Sequence, residues 1–178
     1  MFLVGTNIWL ELLLDQEKAT DVRRFFEAHE SSQLAITEFS LYSMGIVLTR
    51  LKKHEVFEDF LADTLEHSRV RLIRLDVAGL KEVLDVQRRF GLDFDDAYQY
   101  VAASKHNLTL LSFDRDFDRT ELGRKTPAQA LALPEGSTTS QRKGRKFRRV
   151  EQSEQVSPES SATVGAEGGD EGNKGMNI

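Results

Sequence analysis

The segment FLVGTNIWLELLL, residues 2–14, places a short apolar strand directly before a polar turn and a helix. Residues 2–4 have the apolar character of a buried strand, and Gly5, Thr6 and Asn7 form the turn. In α/β proteins, ligands bind where the carboxyl end of a strand feeds a helix. The segment therefore predicts an α/β fold with a polar edge, although Gly5 contributes no side chain to that edge.

The same alternation of strand and helix continues to about residue 133. Four apolar segments have the character of short strands: residues 2–4, 33–37, 70–75 and 108–113. Apolar residues recur at helical spacing between these strands, as is typical of amphipathic helices. The predicted helices are residues 7–14, 17–29, 38–53, 55–67, 77–90 and 93–107. This order predicts a short parallel sheet between two helical layers, a three-layer α/β/α fold.

The composition of the chain changes at Pro134. Residues 134–178 are dominated by Ser, Gly, Glu, Gln and Lys, and Phe147 is their only aromatic residue. Such a segment cannot bury enough apolar surface to offset the entropy lost on ordering. We therefore expect a domain over residues 1–133 and a disordered low-complexity tail over 134–178. The basic run RKGRKFRR, residues 142–149, is either a solvated linker or a weak RNA-binding arm.

The overall composition narrows the classes of function. The net charge of −5 and the pI near 5.5 argue against simple binding of a phosphate backbone, but they allow the local acidic cluster that a divalent metal site needs. The absence of cysteine excludes disulfides, thiolate metal sites and thiol catalysis, and it fits a cytoplasmic protein. No apolar run approaches the ~20 residues of a membrane span. We expect neither a signal peptide nor a membrane partner.

Acidic residues concentrate at two places that the predicted sheet would bring to one edge. Asp93, Asp95 and Asp96 begin a predicted helix, while Asp114 and Asp116 follow the last strand. Aspartates at a helix start can simply cap free N–H groups, and an Asp-rich turn is common. One cap, however, uses only one carboxylate. Clustered carboxylates without Cys or paired His predict Mg²⁺ or Mn²⁺ rather than zinc.

Glu38 follows the second predicted strand. It is either an acidic residue in the first turn of a helix or another carboxylate at the same edge. The candidate metal ligands are therefore the carboxylates of these two Asp clusters, with Glu38 as a further one. A metal ion held there would polarise a phosphate and activate water for attack. In this hypothesis Thr6 and Asn7 orient the water or the phosphate.

Three motifs, in this order and spacing, resemble the PIN-domain family over roughly residues 1–131. They are FLVGTNIWLELL at 2–13, GLDFDDAYQYVAA at 91–103 and LTLLSFDRDF at 108–117. The resemblance implies acidic site positions at Asp96, Asp114 and Asp116. It also implies a Mg²⁺- or Mn²⁺-dependent ribonuclease acting on RNA. Many small bacterial and archaeal members are VapC-type toxins paired with an antitoxin protein, and a homodimer is a further expectation.

The chain departs from the family pattern at two positions. Gly5 stands where the family usually has Asp, and Ser43 stands where it usually has Glu. Gly5 is thus either the place of a missing ligand or a glycine that suits a tight turn. Two functions stay open: a metal-dependent ribonuclease, or an inactive PIN-like module that binds RNA or protein. A phospho-receiver domain would need an acidic pair after the first strand, where this chain has Gly5 and Thr6.

Overall fold

The structure of the protein is a computed structural model that describes residues 1–132. The strands are β1 (Phe2–Val4), β2 (Leu34–Thr37), β3 (Arg71–Ile73) and β4 (Thr109–Leu111). The helices are α1 (Thr6–Leu13), α2 (Ala19–Ala28), α3 (Glu38–Arg50), α4 (His54–Leu61), α5 (Val77–Phe90), α6 (Phe94–Lys105) and α7 (Pro127–Leu131). The predicted tail over 134–178, with its basic run, lies outside the described residues.

The four strands form one parallel sheet in the order β3-β2-β1-β4. In the register of β1 and β4, Val4 lies opposite Leu111. The loops that leave these two strands, at Gly5 and at Ser112, therefore start side by side. Helices pack on both faces of the sheet, and the predicted three-layer α/β/α architecture is confirmed.

Strands β1, β2 and β4 contribute to two separate cores because successive strand residues point to opposite faces. Leu3, Ala35 and Ile73 pack with residues of α5 and α6 on one face. Val4, Leu34 and Ile36 pack with residues of α1, α2, α3, α4 and α7 on the other. Burial on both faces explains why these three strands are nearly continuous apolar runs, whereas in β3 only Ile73 is buried.

The junction between α5 and α6 places the acidic end of α6 at the sheet edge. Gly91 ends α5 with φ +65°, a left-handed conformation that glycine adopts without strain, and its N–H donates to the Gln87 carbonyl at 2.8 Å. Asp93 then caps α6 by accepting a hydrogen bond of 2.9 Å from the Asp96 N–H. Asp93 is thus the N-cap, and Asp95 and Asp96 lie in the first turn.

Some local boundaries differ from the predictions. The helix expected over 55–67 is α4, followed by a π-helical turn over Ala62–Glu66. The short α7 was not predicted, because its five residues are too few to show periodicity, although Thr126 and Gln129 form a capping box around it. Within residues 1–132, no helix has both the length and the apolar character needed to cross a membrane.

Candidate metal centre

Three carboxylates from two segments meet at the carboxyl ends of β1 and β4. Asp96 comes from the first turn of α6, and Asp114 and Asp116 come from the loop after β4. One oxygen of each lies within 4.8 Å of those of the other two. Two oxygens on opposite sides of one Mg²⁺ are about 4.2 Å apart, since each bond is about 2.1 Å. The group therefore has nearly the size that one small, hard cation requires.

The electrostatics of this group favour a bound cation. Burial raises the pKa of the Asp96 carboxyl to about 7, and neighbouring negative charges add to the effect. Those charges belong to Asp93, Asp114, Asp95 and Asp116. Like charges held close together disfavour ionisation unless a positive charge compensates them. A divalent cation would supply that compensation.

Asp114 is held in place by a network that also involves the start of α1. Ser112 Oγ accepts a hydrogen bond of 3.0 Å from the Asp114 N–H, and Asp114 Oδ1 accepts one of 2.8 Å from the Asp116 N–H. Asn7 Nδ2 donates to Ser112 Oγ at 2.9 Å, and Asn7 Oδ1 accepts from the Phe113 N–H at 3.2 Å. Both polar atoms of the Asn7 side chain are thus engaged with the loop. Asn7 therefore holds this loop in place, and its expected role in orienting water or phosphate stays a prediction.

Thr6 and Asp116, at this edge of the sheet, differ in burial: Thr6 is buried and Asp116 is exposed. Burial raises the pKa of the Asp95 carboxyl, and the Thr6 side chain, at the start of α1, lies close enough to that group to lower it. The expected role of Thr6 in orienting water or phosphate stays a prediction. Asp116 is exposed and forms an ion pair of 3.1 Å with Arg119. A cation that used the Asp116 carboxylate would therefore compete with this guanidinium.

Glu38 lies apart from the three clustered carboxylates. Its Oε2 pairs with Arg74 Nε at 3.1 Å, and its Oε1 accepts a hydrogen bond of 2.8 Å from the Tyr42 hydroxyl. Glu38 follows β2, which is two strand spacings, about 9.6 Å, from β4. Its assignment as a ligand stays a prediction, and these contacts do not favour it. Ser43, at the family's usual Glu position, is partly buried on α3.

The backbone at Gly5 does not require glycine. Gly5 precedes α1 with φ −71° and ψ 158°, which any residue can adopt. Its N–H donates to the Leu111 carbonyl at 2.9 Å. A Cβ atom at this position would lie 3.0 Å from that oxygen and only 2.8 Å from Gln99 Oε1. The Leu111 carbonyl and the Gln99 side chain, rather than the backbone conformation of Gly5, therefore restrict the space for a side chain at position 5.

Gln99 links this contact to a further carboxylate. It is only 3% exposed, and its Nε2 donates to Asp95 Oδ1 at 2.9 Å. Burial raises the pKa of the Asp95 carboxyl, and the hydrogen bond from Gln99 lowers it. Sequence reasoning did not identify Gln99 or Ser112 as site residues and placed no role on Asp95. The i, i+4 spacing of Asp95 and Gln99 was the signal that could have identified this pair.

The fold and the site define a three-layer α/β protein with an acidic edge beside its central strand. The family model described as "PIN domain" matches residues 2–122, and the chain belongs to this family.

Solved structures share the fold at low sequence identity. A toxin–antitoxin complex from Klebsiella pneumoniae is 20% identical with a TM-score of 0.58, covering 71% of this chain and 98% of that one. VapC20 of Mycobacterium tuberculosis, a toxin that cleaves the sarcin-ricin loop, is 17% identical with a TM-score of 0.60, covering 68% and 95%. FitAcB from Neisseria gonorrhoeae is 19% identical with a TM-score of 0.58, covering 72% and 99%. No curated protein sequence matches the chain.

Proposed function

We propose that the chain is a Mg²⁺- or Mn²⁺-dependent ribonuclease. The observation that carries the proposal is the approach of three carboxylate oxygens, from Asp96, Asp114 and Asp116, to within 4.8 Å of one another. This donor set, all oxygen and all acidic, fits a hard divalent cation. PIN domains are in general dependent on such ions, and the chain belongs to that family.

The residues around this centre have separable tasks in the proposed reaction. A divalent cation there would polarise a phosphate group of RNA and lower the pKa of a water molecule. Asp96 and Asp114 would hold the cation from α6 and from the loop after β4, while Asp116 would approach it from the exposed side. Asp96 must give up its proton to act as a ligand. Asn7 fixes the loop that carries Asp114.

A cleavage assay with a matched control tests this function. The full chain with Mn²⁺ should cleave RNA, and Asp96→Asn and Asp114→Asn should each abolish cleavage. Asp118→Asn is the control, because Asp118 lies in the same loop but pairs with Arg124 at 3.0 Å outside the cluster. Cleavage that survives Asp96→Asn would point to a contaminating nuclease and refute the proposal.

We further propose that the chain acts as the toxin of a toxin–antitoxin pair. Two of the similar structures are a toxin–antitoxin complex and a toxin that cleaves the sarcin-ricin loop, which supports RNA as substrate and a small protein as partner. The outer face of α3 supports a protein partner too. There the exposed Tyr42 and Ile46 line an apolar groove together with Gly45 and Phe57.

Co-expression with the small protein encoded by a neighbouring gene tests the partner. A stable complex is expected, and Ile46→Lys should disrupt it. Leu84→Lys is the control, because Leu84 is a similarly exposed leucine on α5. A complex unaffected by Ile46→Lys would exclude the α3 groove as the binding surface. Sedimentation of the chain alone shows whether the same groove joins two copies of it as a homodimer.

The alternative function is an inactive PIN-like module that binds RNA or protein. Gly5 and Ser43 favour it, because neither supplies the carboxylate that the family pattern has at that position. Under this alternative, RNA binding or partner binding persists while Mn²⁺ produces no cleavage. The cleavage assay with Asp96→Asn and Asp118→Asn therefore separates the two functions.

A further inference from the structure

The contact between Gly5 and Gln99 ties two positions that lie far apart in the sequence. A Cβ atom on Gly5 would approach Gln99 Oε1 to 2.8 Å, which is closer than a carbon and an oxygen normally pack. Ser112 Cβ, at 3.6 Å, is in ordinary contact. The Leu111 backbone carbonyl, at 3.0 Å, is also tight, so a side chain at position 5 would require both this backbone and the Gln99 amide to shift.

The polar end of Gln99 is not explained by packing alone. Its Oε1 is buried and has no hydrogen-bond partner among residues 1–132. A buried, unpartnered amide oxygen destabilises a fold, and an apolar side chain of the same size would avoid that cost. The Nε2 of the same amide, however, donates to Asp95 Oδ1. The hydrogen bond to Asp95 is therefore a reason for an amide, rather than an apolar side chain, at position 99.

Asp95 lies next to Asp96 in the first turn of α6, and its charge acts on the Asp96 carboxyl. Asp95 and Gln99 are four residues apart and share one face of α6. Because Gln99 contacts position 5, this face is turned toward the end of β1. Asp95 thus lies on the side of α6 that faces Gly5, the position at which the family pattern has a carboxylate.

We propose that Gln99 is a positioning residue that fills the space over Gly5 and holds Asp95, so that Asp95 adds the negative charge that position 5 lacks. This rests on the proposed metal centre. It also predicts that Gly5→Asp alone does not add a ligand, since the new side chain would meet Gln99. The second substitution Gln99→Ala is then needed to make room for it.

The first test uses thermal unfolding of the full chain without metal. Gly5→Ala should lower the melting temperature in the natural background. In a Gln99→Ala background, the same Gly5→Ala change should have a clearly smaller effect, because the obstructing amide is gone. Equal effects in both backgrounds would show that Gln99 does not restrict position 5, and would overturn the pairing.

The second test uses Mn²⁺ binding, measured by calorimetry on the full chain. Gln99→Met keeps the size of the side chain and removes the donor, so it should weaken Mn²⁺ binding about tenfold, as loss of a supporting partner does. Asp95→Asn should weaken Mn²⁺ binding similarly. The double variant should bind Mn²⁺ no more weakly than the single variant with the lower affinity. Gln87→Met is the control, because Gln87, on α5, donates only to the Leu92 carbonyl in the loop that follows this helix.

The outcomes separate this proposal from the proposed function. If the natural chain binds no Mn²⁺, both the proposed function and the role of Asp95 are refuted. If it binds Mn²⁺ and Gln99→Met leaves the affinity unchanged, the function stands and the positioning role of Gln99 is overturned. In either case, the melting temperatures of the Gly5→Ala variants without metal show whether Gln99 restricts position 5.

Discussion

The side chains of Asn7 and Ser112 are joined by a hydrogen bond of 2.9 Å, from Asn7 Nδ2 to Ser112 Oγ, that ties the start of α1 to the loop after β4. Ser112 Oγ in turn accepts from the Asp114 N–H. The orientation of a clustered carboxylate is therefore fixed from two strands at once. This dependence gives the first prediction.

Asn7→Ala should both destabilise the protein and weaken metal binding. It removes two hydrogen bonds and leaves the Phe113 N–H without its partner, so the free energy of unfolding should fall by about 1–3 kcal/mol. Urea unfolding measures this loss, and a Mn²⁺ titration measures the affinity. Ser112→Ala is the matched variant, and the two changes should be non-additive because they break one shared bond. Additive effects would show that the Asn7–Ser112 bond does not organise the loop.

The stability of the metal-free protein should fall as the pH rises from about 4 to about 7. The Asp96 carboxyl has a pKa of about 7 in the folded protein, against about 3.9 in an unfolded chain. Between these values the folded state binds more protons than the unfolded state, so raising the pH favours unfolding. Above about pH 7 this contribution levels off.

Thermal unfolding at several pH values checks this dependence, and Asp96→Asn should flatten it across the same window. Mn²⁺ affinity should show the opposite trend and rise with pH up to about 7, because the ligand must lose its proton. A Mn²⁺ affinity that is constant between pH 5 and 7 would mean that Asp96 is not a ligand.

Asp114→Asn should stabilise the metal-free protein while abolishing Mn²⁺ binding. Asparagine can still accept the hydrogen bond from the Asp116 N–H, so the cap is kept, and only the repulsion among the clustered carboxylates is relieved. The expected gain is below about 1 kcal/mol for such partly exposed charges. Asp118→Asn should not stabilise, since Asp118 pairs with Arg124. Destabilisation by Asp114→Asn would argue that the three carboxylates do not repel.

Glu38→Gln should leave the Mn²⁺ affinity unchanged. The Glu38 carboxylate already pairs with Arg74, whose side chain is 78% exposed, and it lies outside the acidic cluster. An exposed ion pair of this kind contributes less than about 1 kcal/mol, so stability should change little as well. Calorimetry measures the Mn²⁺ affinity of Glu38→Gln, and Asp96→Asn, which should lose binding, is measured for comparison. A large loss of affinity would restore Glu38 as a ligand.

Much of this architecture could be predicted from the local sequence. Strand and helix identities follow from the spacing of apolar residues, which each segment carries by itself. The predicted ends of the strands and helices beside Gly5, Gly91 and the aspartate caps therefore lie within a few residues of the observed ends. The parallel order of strands and helices was enough to predict that Asp96 and Asp114 share one edge of the sheet.

The sequence by itself determined the fold class, the family resemblance and the set of acidic residues. Only the tertiary structure decided which of them meet, because strand order puts β2 and Glu38 two strands from β4. It also showed that Gly5 has an ordinary conformation and that Gln99 occupies the space beside it. Such contacts depend on how side chains pack between segments that are distant in sequence. A local pattern of residues does not specify how closely those side chains approach each other in space.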